Sequence, residues 1–306
     1  MGVLNNILYD TIYHSAPIIL SVLGGIFAYK ANVLNIALEG FMLMGAFVSA
    51  LFVMLWGGNT ILAGMVSVGV GLLLGLVFSY FTASRNGNPI ITGLAINMIA
   101  LSFCAFMLKV LGSANINVSS LISVADLKIH IPLIKDIPVI GDMISGHPPL
   151  TYLAFIGIFI MWFIMYKTKL GVYVRVVGEK EEAAKSVGIN STRIKYIAIL
   201  IGAVCCVLAG INLSVDRIAL FTNNMTAGRG FIAIAAIYCG RGKPGASAMY
   251  ALVFGAAKSL SVNLKLFAGP IAGIFEVIPY VLMVVVLVVV SIVKNRNVNE
   301  RGFDNE

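Results

Sequence analysis

Apolar positions in this chain run in blocks that are too long for strands and too continuous for the one-sided stripe of a soluble helix. Nine such blocks occur, at roughly residues 8–29, 33–56, 61–83, 89–110, 150–167, 196–216, 218–240, 246–263 and 269–293. A helix crossing hydrocarbon needs roughly 20 apolar residues. ILAGMVSVGVGLLLGLVFSYF from Ile61 and YIAILIGAVCCVLAGINLSV from Tyr196 reach that length without a charge. The block at 246–263 is the weakest, being short, rich in Gly and Ala, and interrupted by Lys258. The pattern predicts an all-α, polytopic transmembrane helix bundle of about nine spans. It forms one domain over residues 1–293, followed by a polar tail at 294–306.

Composition agrees: 59% of the 306 residues are hydrophobic and 11% are charged, against about 25% charged in a soluble domain. The net charge of +8 does not point to nucleic acid, because the bases sit in a few connections between blocks. Lys30, Arg85, the seven bases from Lys167 to Lys195, Arg241, Lys243, Lys294, Arg296 and Arg301 fall on one side of a nine-span bundle. The excess of Lys and Arg on cytoplasmic loops then predicts a cytoplasmic C-terminus and an N-terminus outside. Cys104, Cys205, Cys206 and Cys239 lie in apolar blocks without metal-ligand spacing and read as small hydrophobes. MGVLNNILYDT has no basic segment ahead of its apolar stretch, so no cleaved signal peptide is expected, and Asn6 breaks the myristoylation pattern.

Two connections are longer than turns. Residues 113–149, with Asp126, Lys128, Asp136 and Asp142, are too polar to span; a passive external lid and a contact surface for an extracytoplasmic partner both fit them. The loop at 168–195 contains EKEEAAKSVGINSTR, the most charged run in the chain. Its spacing predicts one short helix with Glu179, Glu181 and Glu182 near the positive N-terminal end. Glu181 and Lys185 are spaced for an i,i+4 pair, Gly188 for a left-handed stop, and Asn190 or Ser191 for capping the next helix. Ala183 and Ala184 offer a face almost without side chains. A helix this short is not stable alone and must dock on something.

Glu182-Ala183-Ala184, three residues, Gly188, and nine residues before Ala198-Ile199-Leu200 resemble the EAA signature of ABC importer permeases. Ala198 replaces the motif's Ile and Ile201 its Pro. VLNIALEGFMLMGAF from Val33, ITGLAINMIAL from Ile91, MTAGRGFIAIAAIYCGRGKPGASAMYALVFG from Met225 and VIPY from Val277 are similar to segments of the branched-chain amino acid, ribose and nucleoside permease group. The pairing of NIALEG with TAGRGFIAIAA is most similar to bacterial permeases of the simple-sugar and nucleoside branch. The resemblance implies a multi-pass permease subunit of a bacterial cell membrane. It implies that Glu182, Ala183, Ala184 and Gly188 form a coupling helix docked on a cytoplasmic ABC ATPase, which carries the ATP and Mg²⁺. It further implies a second permease subunit, with a paralogue favoured over a copy, an extracytoplasmic substrate-binding lipoprotein, and a small-molecule solute, a nucleoside ahead of ribose-type sugars and branched-chain amino acids.

GRGKPG at 240–245 resembles a phosphate loop, but Ile237 and Pro244 stand where a Walker loop needs Gly and Ser or Thr. Gly228-Arg229-Gly230 follows no strand pattern and is discounted as a dinucleotide fingerprint. His14, His130 and His147 are far apart without ligand spacing, and no nucleophile–base pair is evident. The chain is expected to bind no cofactor or metal and to catalyse no reaction.

Polar groups inside spans are costly and mark either helix contacts or a solute path. The candidates are Asn35, Glu39, Asn97, Phe221, Asn223, Thr226 and Arg229. Glu39 and Arg229 could pair with each other or with backbone; Asn97 suits a helix–helix hydrogen bond or a ligand equally; Glu276 reads as structural. FTNNMTAGRG combines a ring, amides, a hydroxyl and two glycines able to break the helix. Broken helices in a bilayer line cavities. Two readings of other classes remain: an ion-coupled secondary transporter using Glu39 and Glu276, and a membrane scaffold that moves no solute.

Overall fold

The computed structural model describes residues 3–129, 143, 145–265 and 269–303. Four long helices come first: α1 (Val3–Lys30), α2 (Leu38–Leu55), α3 (Thr60–Ser79) and α4 (Pro89–Val110). Strand β1 (Asn115–Asn117) follows, then α5 (Pro149–Lys167), α6 (Lys169–Glu179), α7 (Glu181–Ser186) and α8 (Ser191–Ile211). The chain ends with β2 (Leu220–Thr222), α9 (Arg229–Cys239), α10 (Pro244–Lys265), a 3₁₀ stretch (Gly269–Val277) and α11 (Ile278–Phe303). Asparagine starts three of the helices. Asn59, Asn88 and Asn190 each accept backbone N–H groups of the first turn, which otherwise have no intrahelical partner.

Seven described helices are long and apolar enough to cross a membrane. The two other predicted spans depart from that standard. α9 has 11 residues, because the first half of the predicted block at 218–240 is strand and turn. α10 has 22 residues but is diluted by Ser, Gly, Asn and Lys. α11 runs on to Phe303, into the residues expected as a tail. Of the predicted loop at 113–149, residues 130–142 and 144 lie outside the described residues.

α1 is the axis of the bundle and packs on α5, α8, α9 and α10; α2 packs on α3, α4 and α8. In α1 and α2, 78% of the apolar window is buried in the protein, and in α8 67%. The corresponding share is 22% in α4 and 6% in α11. Apolar helices with so little burial belong against hydrocarbon, where no hydrophobic penalty attaches to exposure.

Without a hydrophobic drive between helices in lipid, close packing comes from small residues. Gly210 of α8 lies directly on α2, where a Cβ would stand 2.7 Å from the Ala46 nitrogen and 3.1 Å from the Gly45 carbonyl carbon. Beyond it the helix widens into a π turn, Asn212–Asp216. That turn aims polar groups at α5: Asn212 Nδ2 donates to Asp216 Oδ2 at 3.1 Å, and Asp216 Oδ2 accepts from the Leu150 N–H at 3.3 Å. Ser214 meets Ser49 of α2 at 3.1 Å.

Gly210→Leu is expected to force α2 and α8 apart at a cost of about 1–3 kcal/mol, lowering the thermal midpoint of the detergent-solubilised protein. An unchanged midpoint would contradict the close crossing.

Candidate functional site: a buried latch, an aromatic cavity and an exposed helix edge

The charged segment folds as two helices, where the sequence predicts one. Lys180 is extended (φ −147°, ψ 98°) and separates α6 from α7. Glu179 therefore ends α6 and does not sit in a first turn. The cause lies upstream: Thr168 caps α6, its Oγ1 accepting from the Gly171 N–H at 3.4 Å, and Gly171, Val174 and Val177 form a buried stripe at three-residue spacing. That stripe carries helix to Glu179.

α7 closes as its spacing predicts. Gly188 has φ +80°, its N–H donates to the Lys185 carbonyl at 3.0 Å, and the Ile189 N–H donates to the Ala184 carbonyl at 3.0 Å. This is the Schellman arrangement, which needs a residue at ease in the left-handed region. Asn190 Oδ1 then accepts from the Arg193 N–H at 2.9 Å and starts α8. The two alanines do not share a face. Ala184 is fully buried against the bundle, while Glu182 and Ala183 are exposed, because consecutive residues on a helix diverge by about 100°.

Glu181 holds α7 in place from outside. Its carboxylate lies 2.6 Å from Lys195 Nζ of α8 and 3.0 Å from Lys185 Nζ. The hydrogen bonds from Lys195 and then Lys185 hold its carboxyl below the usual carboxylate range. A depressed folded-state value means that this tether is complete above the ordinary carboxylate pKa and fades as pH falls through the lowered one. Outward, Lys180, Glu181, Glu182 and Ala183 line an open hollow of about 420 Å³, and Val187 is 72% exposed.

The second constellation lies where α2, α4, α9 and α11 meet. FTNNMTAGRG breaks the helix as its composition predicts, and the break starts earlier. Leu220–Thr222 pairs antiparallel with Asn115–Asn117, placing Phe221 opposite Ile116. Asn224, Ala227 and Gly228 then take positive φ values of 55°, 44° and 74°, and helix resumes at Arg229.

Glu39 closes this break. Oε1 accepts from the Gly228 N–H at 2.8 Å and Oε2 from the Gly230 N–H at 2.6 Å. A buried carboxylate is thus satisfied by the positive end of α9. Gly230 permits the approach, since a Cβ there would lie 2.6 Å from Glu39 Cα. Arg229 makes no ion pair with Glu39; its Nη1 donates to the carbonyls of Met225 and Thr226 at 2.8 and 3.0 Å. Asn97 makes the interhelical bond, accepting from the Gly40 N–H at 2.7 Å and donating to the Ile36 carbonyl at 2.9 Å.

Beside this latch is a cavity of about 410 Å³, lined by Glu39, Asn97, Asn224, Phe231, Tyr280 and neighbouring apolar side chains. Of the seven residues singled out from sequence, Glu39 and Asn97 line it. Phe221 is fully buried, edge-on to Phe47 with ring centres 5.3 Å apart, so its faces are covered. Among the described residues, buried Thr226 has no partner for its hydroxyl, and Asn35 Oδ1 accepts from the Ala37 N–H at 3.0 Å while its buried Nδ2 has none. Asn223 is exposed on the turn. Sequence reasoning missed Phe231 and Tyr280. The signal for Tyr280 was the VIPY block, whose Tyr280 hydroxyl donates to the Ala227 carbonyl at 2.6 Å. Glu276 pairs with Lys265, a partner the linear reading did not supply.

Glu39→Gln leaves one of the two backbone N–H groups facing an amide donor. The expected cost is about 1.5–3 kcal/mol, the worth of a hydrogen bond to a charged group. It is read as a lower thermal midpoint with faster proteolysis at residues 222–228; equal midpoints would show the latch to be idle.

The family model described as branched-chain amino acid transport system, permease component, matches residues 7–287. The chain is 35% identical over 298 residues to the guanosine ABC transporter permease protein NupQ of Bacillus subtilis, covering 95% of this chain and 91% of NupQ. It is 30% identical over 313 residues to the nucleoside ABC transporter permease protein NupC of Lactococcus lactis, covering 94% and 93%. Among solved structures, a metal-chelate type ABC transporter in an inward-facing conformation superposes with a TM-score of 0.50 at 16% identity, over 93% of this chain and 85% of that one, which shows a shared fold. By these matches the chain belongs to the branched-chain amino acid transport system permease-component family and is a membrane-spanning ABC importer permease subunit, not an enzyme.

Proposed function

We propose that this permease translocates a nucleoside, handed to it by an extracytoplasmic substrate-binding lipoprotein. The observation carrying this reading is the makeup of the cavity beside Glu39. Two rings, Phe231 and Tyr280, and two amides, Asn97 and Asn224, line it. Its carboxylate, Glu39, is committed to the backbone N–H groups of α9, and among the described residues no cationic side chain lines it. An amino acid needs partners for both an ammonium and a carboxylate, whereas a nucleoside offers a flat base and a hydroxylated ribose without net charge. The names of the relatives, a guanosine and a nucleoside permease, support the same choice.

In this reading α7 and the C-terminus face the cytoplasm, and the exposed edge at Glu182 and Ala183 seats in a groove of the ABC ATPase, where ATP and Mg²⁺ are held. The Schellman stop at Gly188 makes α7 and the start of α8 one stiff unit. Closure of the ATPase dimer then moves α8, and with it α1 and α2, between inward- and outward-open arrangements. A second permease subunit, a paralogue, completes the membrane part. An ion-coupled transporter would need Glu39 or Glu276 to hold the coupling ion, whereas Glu39 accepts two backbone N–H groups and Glu276 pairs with Lys265.

In proteoliposomes holding both permeases, the ATPase and the binding protein, ATP-dependent uptake of guanosine is expected, uncompeted by excess ribose or leucine; competition by either would reassign the solute. Stacking of a base on an aromatic ring contributes about 1–3 kcal/mol. Phe231→Ala should therefore raise the half-saturating guanosine concentration roughly 5- to 150-fold, and an unchanged value would remove Phe231 from the path. Gly188→Pro removes the N–H that bonds Lys185 and should abolish uptake while folded protein remains in the membrane; surviving uptake would sink the coupling role of α7.

A further inference from the structure

A larger cavity, of about 530 Å³, opens between the end of α1, the α1–α2 connection, α6 and the end of α9. It belongs neither to the aromatic cavity nor to the exposed edge of α7. Tyr29, Lys30, Asn32, Arg175, Glu179 and Tyr238 are its polar and aromatic lining. The Tyr29 and Tyr238 rings meet edge to face with centres 5.1 Å apart, the Lys30 ammonium lies over the Tyr29 ring 5.9 Å from its centre, and Tyr238 is 43% exposed.

The charges here are unbalanced. Among the described residues, ion pairs join Glu181 to Lys185 and Lys195, and Lys265 to Glu276; Lys30 and Arg175 have none. Arg175 uses its Nε on the Gly171 carbonyl at 3.4 Å and stacks on Tyr166, leaving its terminal nitrogens without a hydrogen-bond partner among the described residues. Two cations, Lys30 and Arg175, beside one carboxylate, Glu179, in a recess with two phenol rings form a receptor for an anion with an aromatic part. Arg offers a fork matched to phosphate oxygens, and Lys adds a point charge. The volume lies within the range of sites for small organic ligands.

We infer that this cavity binds a nucleoside monophosphate, its phosphate on Lys30 and Arg175 and its base against Tyr29 or Tyr238, and that occupancy slows transport. The identity of the base rests on the nucleoside reading above; the phosphomonoester part rests on the cations alone. A phosphoryl-transfer reaction acting on the imported nucleoside would supply such a ligand. Arg175 and Glu179 lie on α6, joined to α7 through the extended residue Lys180. A ligand gripping α6 there would restrain the lever next to it, so that accumulated product opposes further import.

The test uses the complete transporter in nanodiscs of zwitterionic lipid. A non-hydrolysable ATP analogue with Mg²⁺ fills the ATPase sites, and labelled guanosine monophosphate is titrated. Saturable binding is expected, weakened about tenfold or more by Lys30→Gln and by Arg175→Gln. Guanosine monophosphate inside proteoliposomes should slow guanosine uptake by the wild type and not by these variants. Arg175→Lys, which keeps the charge, serves if Arg175→Gln does not assemble. Binding indifferent to both substitutions would overturn the site, as would equal competition by guanosine or by inorganic phosphate. Loss of binding when phosphatidylglycerol is added would assign the recess to a lipid headgroup instead. If the wild type takes up no guanosine, the nucleoside reading falls separately, and titration with ribose 5-phosphate still decides whether the cavity holds a phosphomonoester.

Discussion

A carboxylate in the middle of an apolar bundle must find hydrogen-bond donors or give up its charge. Glu39 finds two, the amides of Gly228 and Gly230, and the rest of the membrane domain is arranged around that pairing. It lets the chain between β2 and α9 abandon helical geometry inside an apolar protein, because the free N–H groups at the start of α9 are met by an anion. It fixes α2 against α9, and Asn97 fixes α4 against the start of α2 by the same means, a side chain bonding backbone left unpaired at a helix end. With these polar groups consumed, the neighbouring cavity presents amide edges and rings without net charge.

The two ends of the molecule solve a related problem differently. In the bundle, polar atoms are paired within a low-dielectric interior. At α7, pairing is on the surface: Glu181 bridges Lys185 and Lys195 in contact with solvent, where ion pairs contribute little individually. Burial of Ala184 supplies the apolar part of the docking. A short helix is thus held by one buried methyl group and a half-buried carboxylate.

The bundle was legible from sequence because apolar run length maps onto membrane thickness almost one to one. So was the stop at Gly188, since glycine has few rivals at φ +80°. α6 was not, because its buried stripe of Gly171, Val174 and Val177 is interleaved with the charges that made 168–195 read as a loop. The cavity was half legible. Glu39 and Asn97 announce themselves as polar residues in spans, whereas Phe231 and Tyr280 are ordinary aromatics until the fold brings α9 and α11 together. Phe221 misled for the converse reason: composition places a ring next to amides, but pairing with Ile116 turns it into the core.

The central position of α1 has a consequence for how the protein is made. Its partners come late in the chain: the Ser259 hydroxyl bonds the Ile7 carbonyl across 252 residues. At synthesis rates of about 5–20 residues per second, α1 waits roughly 10–50 seconds in the bilayer before α10 exists. The Ser15 and Ser21 hydroxyls bond the carbonyls of Thr11 and Pro17 in their own helix, a pairing open to them from the start. Those self-contained bonds keep a half-built intermediate tolerable to lipid until the last helices arrive.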